Sequence, residues 1–204
     1  MKIIIFAHGF RIFSGSRSRG HVKLLNLGLM DHVSAQLYVP PWRDLEGYIR
    51  LRLEEAVAEA ELALKFLDQG LHRNAAGKAF QGWKALLAAA AARNKALVER
   101  RFPGVVRDKT RRPRSRADMI VALMPTGKLR EVAGLLVEVY GWEILYLTEL
   151  ALDLHDFQYN GLDSEGLASR YADLRDVERD VRHLAEKTRE WADRLRAQSE
   201  EKGI

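Results

Sequence analysis

Between Ile49 and Leu67, small or apolar residues return every three or four positions: Ile49, Leu53, Ala56, Ala60, Ala63 and Leu67. That spacing lays one apolar seam along a long helix, at about 3.5 residues per repeat. Pro40-Pro41 bars helix before the seam, and Trp42–Asp44 opens it. Gly70 closes it as a left-handed C-cap would. A second helical pattern starts at once, at Leu71. Two long helices joined so tightly must lie antiparallel, each supplying the other with a face.

The second helix is expected over Leu71 to Arg101, with Ala76, Phe80, Trp83, Leu87 and the run Ala88–Ala92 as its face. Alanine is the best helix former and lets a neighbouring helix come close. Phe102-Pro103-Gly104 stops it, and 104–115 reads as a basic loop. Ser115 can cap a short helix over Arg116 to Met124. A long helix is expected from Lys128 to Leu154, with the seam Ala133, Val137, Tyr140, Ile144, Leu147, Ala151 and Leu154. The last helix is expected from Asp163 or Ser164 to Gln198, after a turn at Asn160-Gly161. Its stripe is Leu167, Tyr171, Leu174, Val181, Leu184, Trp191 and Leu195. No alternating strand pattern of useful length follows Met30. The expected fold is therefore all-α: an antiparallel up-down bundle of four long helices and one short one.

Residues 1–39 differ from the rest. The run "MKIIIFAHGF" is followed by a basic stretch rich in Ser and Gly, and no acid precedes Asp31. A targeting peptide, a basic arm, and a lead upstream of a true start at Met30 are the competing readings. We take residues 1–39 as a weakly structured lead, 40–198 as the bundle and 199–204 as a tail.

The chain has 204 residues, enough to bury a core, and no cysteine. Disulfides, thiol nucleophiles and cysteine metal sites are thereby excluded. The expected compartment is the cytoplasm. No stretch is apolar enough to span a membrane, since Glu138, Glu143, Glu149 and Asp153 interrupt the best run. Charged residues reach 30%, which on long helices points to a thermophile's surface. The net charge of +5 permits nucleic-acid contact.

The segments "FLDQGLHRNAAGKAFQGWKALLAAAAARN" (66–94) and "LHDFQYNG" (154–161) resemble the archaeal PaREP-type family, a branch of the HEPN superfamily. The resemblance extends over Leu45 to Leu195. It implies a helical bundle, often a homodimer, in a superfamily that handles RNA or nucleotides. Catalytic HEPN ribonucleases carry Arg, four to six residues, then His. None of His8, His21, His32, His72, His155 or His183 has an arginine at that distance. The resemblance therefore supports the fold rather than a nuclease, and no catalytic residue is assigned with it.

Four groups of residues carry possible chemistry. His155 and Tyr159 could project into one pocket, or could cap the end of their helix. Lys78 and Lys84 lie on the apolar second helix. Facing inward they would need Glu143, Glu149 or Asp153 and could hold a small anion; otherwise they snorkel to solvent. Glu149, Asp153 and Asp156 share a helix face, which reads as a solvated acidic face and not as a metal site.

The fourth group is the basic run Arg107, Lys109, Arg111, Arg112, Arg114 and Arg116, after Arg100 and Arg101, with Asp108 as its one acid. Guanidinium groups fork onto phosphate oxygens. A mobile loop carrying several would hold RNA or DNA without reading sequence. The same loop could instead serve solubility or an acidic partner. No aromatic residue is interleaved after Phe102, and no phosphate loop, nucleophile elbow or cofactor fingerprint occurs. The leading expectation is a non-catalytic HEPN-like helical protein that binds nucleic acid (RNA) or a nucleotide through these basic residues. The alternatives are a partner in a toxin–antitoxin-like pair, and an enzyme built around Lys78, Lys84 and His155.

Overall fold

A computed structural model describes residues 39–200, with side chains to 198. The expectations for residues before Met30 and for the tail lie essentially outside the described residues. Among those described, the chain is mainly helical with one small sheet. Helix α1 spans Leu45–Asp68, α2 His72–Arg93, α3 Lys95–Arg101, α4 Arg116–Leu123, α5 Leu129–Tyr140, α6 Glu143–Asn160 and α7 Leu174–Glu200. Strands β1 (Val105–Arg107) and β2 (Pro113–Ser115) pair between α3 and α4.

Helix α1 begins where Asp44, in extended conformation, accepts the Gly47 N–H at 2.8 Å. This satisfies one of the amides a helix start leaves open. All six residues of the expected seam are buried. Gly70 (φ 72°) turns the chain and α2 runs back along α1. Lys78 meets Glu59, and Gly82 lies against the Ala56 carbonyl.

Helix α2 is the hub, touching α1, α4, α5, α6 and α7. Every residue from Ala85 to Ala92 is buried. A helix enclosed on all sides tolerates only short side chains where neighbours come close, which accounts for the alanine run.

Three helix boundaries differ from expectation. The predicted helix 71–101 breaks at Asn94, whose amide donates to Ala90 O and to the Tyr140 hydroxyl, each at 2.9 Å. The predicted helix 128–154 breaks at Gly141 (φ 78°), so α5 and α6 are separate. The last helix begins at Leu174, ten residues or so after Asp163. Asp163 does not cap a helix; its carboxylate accepts the N–H groups of Glu165, Gly166, Ala168 and Ser169 and closes a loop. Leu167, expected in the apolar stripe, therefore sits on that loop, 86% exposed. Val181, Leu184, Trp191 and Leu195 do face the core, where the Trp191 ring meets Trp83 and Tyr140 edge-on.

The basic loop is also corrected. It is an ordered antiparallel hairpin, with Val105 opposite Ser115, Val106 opposite Arg114 and Arg107 opposite Pro113. No helix among the described residues is long and apolar enough to cross a membrane.

Candidate nucleic-acid interface

The hairpin is built around Asp108. Its carboxylate accepts the Thr110 N–H (2.8 Å), the Thr110 hydroxyl (2.6 Å), the Arg112 N–H (2.9 Å) and Arg114 Nε (3.2 Å). The Thr110 hydroxyl above all, with the Arg112 amide and the Arg114 guanidinium, holds the Asp108 carboxyl down to about 2. Backbone bonds from Asp108 N to Arg112 O (2.9 Å) and Arg111 N to Asp108 O (2.8 Å) close the turn. Arg111 stands at φ 61°, the left-handed position that glycine fills in short hairpin loops. An L-residue there costs about 1 kcal/mol in backbone energy.

The two faces of the ribbon differ. Val106 and Arg114, directly opposite one another, are half-buried. The Arg114 guanidinium lies 4.7 Å from the centre of the Trp42 ring, which ties the hairpin to the chain just ahead of α1. Arg107, Lys109, Arg111, Arg112 and Arg116 are exposed. Arg107 donates to Arg111 O at 3.0 Å. Among the described residues, Arg107, Arg111, Arg112 and Arg116 form no ion pair. Sequence reasoning placed Arg114 with the other arginines; the structure makes it the anchor. It missed Trp42, which nothing along the chain links to Arg114. Arg101, just before the hairpin, pairs with Glu131.

The second candidate group divides. Lys78 pairs with Glu59 of α1 at 2.8 Å. The expected carboxylates are engaged elsewhere: Glu143 with Lys187 at 3.5 Å, Glu149 with Arg130 at 2.9 Å, and Asp153 with Arg170. Among the described residues no three histidine, aspartate or glutamate side chains are grouped as they would be to hold a metal ion.

Lys84 and His155 converge on one ring. Lys84 Nζ lies 5.9 Å from the centre of Phe80, and the His155 imidazole stacks on the same ring at 4.1 Å. Burial lowers the Lys84 pKa, with Arg52 adding repulsion and Glu55 opposing it. Burial likewise lowers that of His155; Asp156 opposes and Lys84 reinforces. His155 Nδ1 is buried with no hydrogen-bond partner among the described residues. Tyr159 stands edge-on to His155 at 5.1 Å. Neither caps its helix: the Gly161 N–H returns to Phe157 O, and the Arg73 guanidinium donates to Tyr159 O.

Arg73 also marks where distant parts of the chain meet. The turn before α2 and the end of α6 form a cleft of about 480 Å³, lined among others by Leu71, Arg73, Asn74, Phe157, Asn160 and Leu162. The two segments on which the family resemblance rests thus come together in space. A model of the archaeal PaREP1/PaREP8 family matches residues 51–182. The chain belongs to that family. No curated protein and no solved structure matches it. In this PaREP1/PaREP8 chain the matched region includes α2, the whole hairpin and the cleft.

Proposed function

We propose that this PaREP1/PaREP8 protein is a non-catalytic, HEPN-like helical protein that binds nucleic acid by its phosphate backbone through the hairpin. One observation carries the reading. Asp108, the hairpin's single acid, is consumed by its own turn and by Arg114. The charges of Arg107, Arg111, Arg112 and Arg116 are left to face solvent. Exposed arginines on an ordered element meet phosphate oxygens with less entropy to lose than a free loop would have.

The test is salt dependence. Each phosphate neutralised contributes about 0.7 to 0.9 to the log–log slope. Four contacts would weaken binding by roughly 50- to 150-fold between 50 and 200 mM salt, on the same principle. Replacing these four arginines by glutamine should abolish the slope and leave the melting temperature within a few degrees. A variant that binds like the parent removes the hairpin from the interface.

A second reading has an observation of its own. Trp142 and Tyr146 are 61% and 65% exposed and stack on each other at 6.1 Å, near the half-exposed Val139. Exposed aromatic pairs of this kind favour a protein partner, whether a second copy or another chain. Trp142→Ala with Tyr146→Ala should then change the oligomeric state without touching nucleic-acid affinity.

A further inference from the structure

The form of the arginine-bearing element narrows the nucleic acid it can meet. The hairpin is a two-stranded ribbon, with strands about 4.8 Å apart. Its Val106–Arg114 face is turned to the body, and its Arg107–Pro113 side is exposed. The major groove of B-form DNA, about 12 Å wide, admits a two-stranded ribbon. The corresponding groove of an A-form RNA helix is too deep and narrow to be read by side chains. Proteins that hold single strands stack the bases on aromatic rings. From Val105 to Ser115 the hairpin has no aromatic residue.

The tip points the same way. Arg111 holds the position where glycine would relieve the backbone, so the turn carries a guanidinium at its foremost point against local preference. Arg112 follows it, and both are exposed. Behind them, Arg114 on Trp42 and the bonds of Asp108 keep the ribbon from folding away.

We propose that the hairpin Val105–Ser115 enters the major groove of duplex DNA, with Arg107, Arg111, Arg112 and Arg116 on the phosphates that line the groove. This rests on the backbone-binding reading above and adds the form of the ligand. A ribbon seated there covers the N7 and O6 acceptors of guanine on the groove floor.

The experiment uses the full chain with a DNA duplex, each of its single strands, and an RNA duplex of the same sequence. Binding is read by fluorescence anisotropy at low salt, and guanine N7 exposure by dimethyl sulfate methylation. The expected result is duplex DNA bound at least about tenfold tighter than the other three, with N7 protected beneath the protein. Arg111→Gly should lose about fivefold or more in affinity for that duplex, on the same scale, without a lower melting temperature. Equal affinity for all four ligands, or tighter binding to a single strand or to RNA, overturns the groove proposal and leaves backbone binding standing. Unprotected N7 does the same. Binding to none of them overturns both. An Arg111→Gly variant with unchanged affinity removes the tip from the groove.

Discussion

The Trp83 indole donates its N–H to the Thr148 hydroxyl at 2.8 Å, in the buried contact between α2 and α6. The Thr148 hydroxyl in turn donates a hydrogen bond to Ile144 O at 2.7 Å. Both side chains are completely buried, so neither polar group has water to fall back on. Thr148→Val keeps the shape and leaves the indole without an acceptor. We expect a loss of about 1–3 kcal/mol in denaturant unfolding, and much less for Thr148→Ser. A valine variant as stable as the parent would show the bond to be dispensable.

Helices α1 and α2 come close at Gly82. A Cβ built there would stand 3.0 Å from Ala56 O and 3.3 Å from Ala60 N, both backbone atoms that move only with their helix. Alanine restores about 1 kcal/mol of helix propensity. Overpacking a well-filled contact typically costs about 1–3 kcal/mol. Gly82→Ala should therefore lower the melting temperature. A rise would mean that the helix pair can slide to make room.

Asp108→Ala separates shape from charge. The substitution adds one unit of positive charge at the hairpin, so a simple count of charges predicts tighter nucleic-acid binding. It also removes four acceptor contacts from the turn, so a preformed hairpin predicts weaker binding with faster amide exchange at Arg112. We expect weaker binding. The same carboxylate sets an acid limit: its folded pKa is depressed to about 2. Its contribution is thus present above the ordinary carboxylate range and is lost as pH falls through about 2.

His155 sets a milder pH dependence. Its folded pKa lies below the ordinary histidine value, chiefly through burial. The unfolded chain therefore takes up a proton near pH 6.5, before the folded one does. Stability should fall as pH drops below about 6.5, until the folded imidazole is itself protonated. His155→Phe retains a ring against Phe80 and should flatten that segment of the stability–pH curve. An unchanged curve between pH 7 and 5 would assign the acid sensitivity elsewhere.

Helix period was the legible part of the sequence. The seam residues from Ile49 to Leu67 and from Ala76 to Ala92 face inward because a helix repeats the same face over many turns, so a single misread residue does little harm. The hairpin was not legible. Strands of three residues carry too little alternation to stand out, and a run of arginines looks like solvent-exposed loop. What turns Arg114 inward is Trp42, far away along the chain. Asp163 was misread for a related reason, since a carboxylate that caps a helix and one that ties a loop look alike in sequence. The partner of Lys78 was within reach: reflecting the chain about the tight turn at Gln69 sets Glu59 beside it. For Lys84 and His155, shared contact with Phe80 depends on how α6 seats on α2, which no single helix encodes.

The hairpin is a two-stranded sheet, and among the described residues both of its outer edges lack a further strand. Bare edges recruit strands from neighbouring molecules, and natural proteins guard them with proline and with side chains of like charge. Pro113 removes one edge donor, and the arginines of one hairpin would repel those of another. The same guanidinium groups thus act as an aggregation guard when no polyanion is bound. Variants that neutralise them should be checked for self-association at high concentration, before a loss of binding is ascribed to the interface.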